Sequence, residues 1–328
     1  GFYSGRLDSA TIWSDLDESR RIAQQEGDSG LAATALIRHG ALHVQAASIP
    51  DGRRMLAAAG ASNDALPHHE LLATRVFSAY GTAVFDLSID ERQRELCELL
   101  DECRTAAHVA FHSMALATAG TLAALRHDAD RANWLLDEAE RLTREHDLAT
   151  FENVVQRWRS FFAYRFEHGD ALEHAERALE LAELTGNAWD AAAARWLIGL
   201  LLFRRGDDRA EALLRRAHDE SVNPCYPFSL IRADLALALV DLDQGSFEAA
   251  LSLTHDALRR ADDFGDVFAV AASLDHLARF ECERASFERA ARFAGAADAI
   301  HREADVDRLP CERDLRSDVE QRLVDRLG

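Results

Sequence analysis

The sequence predicts an all-α chain, a solenoid of about seven helical hairpins. Three observations predict it. One small-residue position returns about every 40 residues inside an apolar helical stretch. It is filled by Gly40, Gly81, Gly120, Phe162, Gly199, Ala238 and Ala278. A period of this length marks stacked repeats rather than a globule. Good helix formers dominate, with only 5 prolines in 328 residues and 48% apolar residues. An alanine pair seven residues apart follows most of the small positions, as it would on one face of a second helix.

In chain order, Gly5 and Ala10 fit the turn and first alanine of a hairpin whose first helix would precede Gly1. Residues 1–28 then form a partial hairpin, and the chain reads as a piece of a longer polypeptide, because a solenoid needs a polar terminal cap. Residues 29–305 hold about seven hairpins, and 306–328 a capping helix. Pro67-His68-His69-Glu70 reads as a helix start. In the third unit Gly120 is followed by Ala132 and Ala139. The alanine pair slips by one in the fourth and fifth units, to Ala175/Ala182 and Ala210/Ala217. Helices packed about 8–10 Å apart need small residues where their backbones approach, so Phe162 predicts a looser or tilted fourth hairpin. Ser221 to Pro227 contains two prolines and predicts a longer connection between the fifth and sixth hairpins. The sixth and seventh units match at Leu237-Ala238 with Leu277-Ala278 and at Ala250 and Ala257 with Ala290 and Ala297. Gly245 breaks the sixth, Ser246-Phe247-Glu248 opens its second helix with Ser246 as N-cap, and Ser286-Phe287-Glu288 repeats this 40 residues later.

The formal net charge is −20, and all 37 basic residues are arginine. A protein that grips a phosphate backbone needs a basic stripe, so direct nucleic-acid binding is not expected. No apolar run reaches the roughly 18 residues of a membrane span, and Gly1-Phe2-Tyr3-Ser4 lacks the features of a signal peptide. The five cysteines are scattered and form no C-x-x-C, which fits a reducing, cytoplasmic location.

Catalytic signals are absent: there is no nucleophile elbow, no G-x-G-x-x-G, and no phosphate loop, which a chain without lysine cannot form. His39/His43 and His108/His112 have metal-compatible i, i+4 spacing but no evident third ligand, and read as packing or surface histidines. The expectation is a non-enzymatic chain with no metal or cofactor.

Leu237, Ala238, Gly245, Ala250 and Ala257 fall where a tetratricopeptide repeat has its small residue, its turn and its two alanines. The chain therefore resembles a tetratricopeptide-repeat protein over residues 1 to about 300, with a period longer than the usual ~34. Residues 289–297 with Leu309-Pro310 and the last amphipathic helix resemble the end of the repeat region in actinobacterial signalling ATPases, including LuxR-type regulators. The resemblance implies a right-handed superhelix whose first helices line a concave groove. It implies a sensor or scaffold region of a larger cytoplasmic regulator of transcription or signalling. The partner would be a protein segment or a small effector; a free-standing adaptor is the alternative, and a homo-oligomer stays open.

That register places Arg159, Phe166, Trp196, Phe203, Arg204, Arg232 and Arg279 in the groove, with Arg75, Phe85, Asp86, Gln156, Glu167, Asp243, Asp275 and Glu283. Arg159, Trp196, Phe203, Arg204 and Arg232 would be neighbours. Guanidinium groups beside aromatic faces suit a flat or anionic ligand, or a peptide carboxylate. The competing account is core packing for the aromatics and salt bridges for the arginines.

Overall fold

The computed structural model describes residues 9–61, 66–82, 85, 89–105, 108–222 and 226–327. Among these, sixteen α-helices and no strand are found. Helix α1 (Ser9–Glu26) leads into seven hairpins. They are α2 (Ser29–Ala46) with α3 (Ile49–Gly60), α4 (His68–Thr82) with α5 (Ile89–Thr105), and α6 (Val109–Leu125) with α7 (Ala129–Glu145). Next come α8 (Ala149–Arg165) with α9 (Ala171–Thr185) and α10 (Ala188–Arg204) with α11 (Ala210–Val222). The last are α12 (Pro227–Asp243) with α13 (Phe247–Phe264) and α14 (Val267–Glu283) with α15 (Phe287–Ala304), and α16 (Pro310–Leu327) packs on α14 and α15. The chain is thus an all-α solenoid of helical hairpins. Gly5, Asp86, Asn223, Pro224 and Cys225, the side chain of Ala10 and the burial of Gly81 lie outside what is described.

The two helices of a hairpin form two layers. First helices touch their counterparts in the next hairpin, whereas second helices make no comparable contact with each other. The first helices are therefore the inner layer. Composition follows this division. In α10 every residue from Asp190 to Leu202 is buried, as is every residue of α6 from Ser113 to Leu125. In α13 burial falls on Ala250, Thr254, Ala257, Ala261 and Phe264, a single stripe at helical spacing.

Small residues set the hairpin distance. A Cβ on Gly120 would lie 3.0 Å from Leu136 Cγ, and one on Gly199 would lie 2.7 Å from Leu214 Cγ. The fourth hairpin is not loose, contrary to the expectation from Phe162: α8 and α9 pack as closely as the other pairs. The small residue is Ser160, fully buried, whose hydroxyl donates to the Ala171 carbonyl at 2.7 Å. Phe162 points the other way, into the core of the second and third hairpins, beside Phe166 and His168. The hairpin that does splay is the second, where α4 and α5 touch least.

The chain turns through a left-handed residue about every 20 residues, at His127, Asp147, Glu167, Gly186 and Gly206, then at Gly245, Gly265, Ala285 and Asp305. At these turns the next N–H bonds back to a carbonyl of the last helical turn, as Asp128 N–H does to Ala123 O at 2.9 Å. Ser246 does occupy the N-cap position of α13, but its side chain makes no capping hydrogen bond; Asn187 and Asp266 do cap, accepting from Asp190 and Ala269. The connection from Val222 to Pro227 is longer than the two-residue links before α10 and α14.

His276 in α14 is 2% exposed, and burial pushes its pKa down to about 4. The unfolded chain takes up a proton near the ordinary histidine value of about 6.5, which the folded chain refuses until about pH 4. Stability is therefore expected to fall as pH drops through this window, by up to about 3 kcal/mol from this residue alone. Urea melts of His276→Leu between pH 7 and 4.5 should show a shallower loss than the parent. Parallel curves would show that His276 titrates normally.

Candidate functional site

The inner wall is richest in chemistry where α8, α10 and α12 meet. Phe228, in the first turn of α12 after Pro227, is its hub. The Arg232 guanidinium lies over the Phe228 ring at 5.7 Å and that of Arg157 at 6.0 Å, while Trp196 meets it edge-on at 5.8 Å. Arg157 is buried, donates from Nη2 to the Tyr80 hydroxyl at 2.7 Å, and lies 3.6 Å from Asp190. Burial pushes the Asp190 carboxyl up from its ordinary value, and Arg157 opposes this. One turn beyond Phe161, the Arg165 guanidinium bonds from Nη1 to the Asp307 carbonyl at 3.1 Å. Burial is the largest influence on Arg165 and lowers its pKa. Arg157 Nε, Arg165 Nε and Arg165 Nη2 are buried and have no hydrogen-bond partner among the described residues. Buried polar groups are normally satisfied, so an acceptor would be stabilised at Arg157, beside the Phe228 ring; Arg165, about 12 Å further along α8, faces the Glu312 carboxyl instead.

Of the expected groove residues, Trp196 and Arg232 do meet here, and Phe203 packs against the same core. Arg232 also bonds to Asp266 at 2.7 Å. Arg204 sits nearby over the Tyr164 ring at 5.8 Å, and Arg204 Nη2 lies 3.2 Å from the Asp314 carboxylate. Arg159 does not join them. It turns toward α7 and pairs with Asp137 and Glu140, and Gln156 likewise donates to Glu140. Placing Phe162 at the small position shifts the α8 register by two residues. Counted from Ser160, the offset that finds Trp196 from Gly199 finds Arg157. Phe166 meets Phe162 at a tilt, 4.9 Å between ring centroids, in the core of the second and third hairpins. Arg279 pairs with Glu283 and, at 2.5 Å, with Asp318 of α16. Phe228, Arg157, Tyr164 and Arg165 were not singled out for the groove.

The expected groove is not open at its centre. The chain closes on itself there. Phe85, after α4, meets Phe228 and Phe264 edge-on, each at 5.7 Å, and its carbonyl accepts from Val267 N–H at 3.1 Å. Ile49 packs in the same core, and a Cβ on Gly265 would lie 2.9 Å from Pro50 Cδ. From the other end, residues 305–314 cross the first helices. Asp305 accepts from Arg126 at 2.9 Å, Cys311 N–H donates to the Tyr164 hydroxyl at 3.1 Å, and Arg313 bonds to Glu167 at 3.2 Å. Arg308 bonds to Asp275 and Asp298, each at 2.7 Å. Trp196 is consequently only 4% exposed. No group of three or more metal-ligating residues converges among the described residues, and none of the described helices is long and apolar enough to cross a membrane.

No protein-family model and no curated protein matches the chain. Solved structures do. A signal transduction ATPase with numerous domains, which carries a tetratricopeptide repeat sensor and comes from Pyrococcus horikoshii, aligns with TM-score 0.56 at 13% identity. The alignment covers 84% of this chain and 41% of that one, so the chain spans about two-fifths of that protein's length. A Rap protein complexed with competence and sporulation factor aligns with TM-score 0.55 at 13% identity, over 96% of this chain and 95% of that one. At this identity the common property is the fold, a solenoid of tetratricopeptide-like helical hairpins.

Proposed function

We propose that the chain is a non-enzymatic binding domain that holds a protein or peptide segment on the inner wall, as the sensor or scaffold region of a larger regulator. The observation that carries this is the unmet Arg157 Nε–H beside the Trp196–Phe228 pair. Arginine N–H groups favour carboxylates, and the rings offer stacking or apolar contact to a neighbouring side chain. The fold supports the reading: one structural neighbour contains a repeat sensor, and the other is complexed with a factor.

A segment entering the wall has to displace Phe85. That would release the Phe85–Val267 hydrogen bond and separate the early hairpins from α14. Occupancy of the wall and closure of the superhelix would thus be coupled, because a ligand shifts a conformational equilibrium only through different affinity for its two states.

Peptides selected from a random displayed library are expected to bind Phe85→Ala about ten-fold more tightly than the parent, a difference of about 1.4 kcal/mol. They are expected to lose at least as much with Trp196→Leu. Equal affinity for all three forms would place binding away from this wall. A free-standing adaptor is the second reading, favoured by the near end-to-end alignment with the Rap protein. The reading frame upstream decides: a phosphate loop supports the regulator, and an initiator Met close to Gly1 supports the adaptor.

A further inference from the structure

The splay of the second hairpin leaves a cavity of about 470 Å³ between α3, α4 and α5. Its size is that of a small-molecule site. Its lining is unusual for a chain of net charge −20. Arg53 and Arg54 reach it from α3, Arg75 from α4 and Arg92 from α5, against one lining carboxylate, Glu95. Arg75, which the groove register had placed on the concave side, belongs here instead.

We propose that this cavity binds a small phosphate-bearing molecule. Four arginine residues on three helices border it, so guanidinium groups lie within reach of a bound anion from several directions. A tetrahedral phosphate with three or more acceptor oxygens satisfies such an arrangement better than a planar carboxylate with two. The Arg92 side chain is 11% exposed, and its Nε is buried without a hydrogen-bond partner. Its other nitrogens lie 2.5 Å from Glu95 and 3.7 Å from Glu91. Glu95 thus serves as the internal counterion that an incoming phosphate replaces. Arg54 and Arg75 are anchored from outside the cavity, Arg54 by Asp51 and Arg75 by Glu102 at 2.5 Å. Those carboxylates hold the guanidiniums in position without themselves lining the cavity. Leu56, Ala57 and Gly60 supply an apolar side, which suits the organic part of a phosphate ester. A Cβ on Gly60 would meet nothing within 4 Å among the described residues.

The site lies beside the outer helices, apart from the inner wall, and does not rest on the function proposed above. Calorimetric titration of the whole chain at low salt with phenyl phosphate, pyrophosphate and benzoate tests it. Saturable phosphate binding is expected, about ten-fold or more tighter than benzoate. Arg92→Gln and Arg75→Gln should each weaken it about ten-fold. Gly60→Leu should abolish it with an unchanged melting temperature, since its Cβ meets no packed atom among the described residues. Phenyl phosphate binding more tightly than pyrophosphate would identify an organic ester as the natural ligand, and the reverse an inorganic anion; both support the site. Equal binding of benzoate, no binding of either phosphate at millimolar concentration, or phosphate affinity unaltered in all three variants would overturn it.

Discussion

Gly52→Ala is expected to destabilise the protein by about 3 kcal/mol, although alanine is the better helix former by about 1 kcal/mol. The new Cβ would lie 2.5 Å from Val44 Cγ2, 2.6 Å from the Gly40 carbonyl oxygen and 2.6 Å from Val44 N. Two of these are backbone atoms of α2 and cannot turn aside. The helices have to separate, and overpacking of this kind falls at the upper end of its usual cost. Neighbouring hairpins interact mainly with each other in a solenoid, so the loss should concentrate in residues 29–60. Hydrogen exchange should show those amides opening first. It should also loosen Val267 N–H, because Ile49 and Pro50 at the start of α3 pack against the turn before α14. Gly60→Ala is the control, since its Cβ meets no atom among the described residues. Equal stability of Gly52→Ala and the parent would mean that α2 and α3 are not in backbone contact.

Asp190→Ala carries the second large effect, a loss of about 3–5 kcal/mol. Arg157 is 6% exposed and Asp190 is 6% exposed, with 3.6 Å between their charged groups. Removing the carboxylate leaves a buried guanidinium whose remaining partner is the Tyr80 hydroxyl. It also removes the acceptor of the Asn187 side-chain amide, bonded at 2.6 Å. Replacing both charges at once, Arg157→Met with Asp190→Leu, should cost less than half as much, because no orphaned charge remains. A double-mutant cycle from denaturant unfolding measures the difference. A single mutant within about 0.5 kcal/mol of the parent would show that solvent reaches Arg157. The same variant bears on function, since Arg157 carries an unmet donor beside the Phe228 ring.

Much of the architecture was legible because its causes are local. The small-residue period located the first helix of each hairpin, and Gly245 marked a turn the structure places at φ +75°. The half-period of about 20 was hidden because His127, Asp147, Glu167, Ala285 and Asp305 adopt the left-handed conformation without being glycine. Ser160 was overlooked for Phe162, although Ser160 gives the more even spacing between Gly120 and Gly199. The same offset counted from Phe162 gives Arg159, which faces α7, and counted from Ser160 gives Arg157, which meets Phe228. Counted from Gly199 and Ala238, the register gives Trp196 and Arg232, both of which the structure places at the Phe228 ring. Phe228 carries no repeat signal and is one of two rings flanking Pro227, the other being Tyr226.

Sequence alone determined the all-helical content, the repeat length and the contact points of hairpins such as the third and fifth, since each depends on residues close in the chain. Tertiary structure decided that Phe85 and residues 305–314 meet the inner wall, turning an expected groove into a filled centre. Curvature is the reason. Each hairpin adds a small rotation to the next, and only their sum over the whole stack brings Phe85 to Phe228 and Val267.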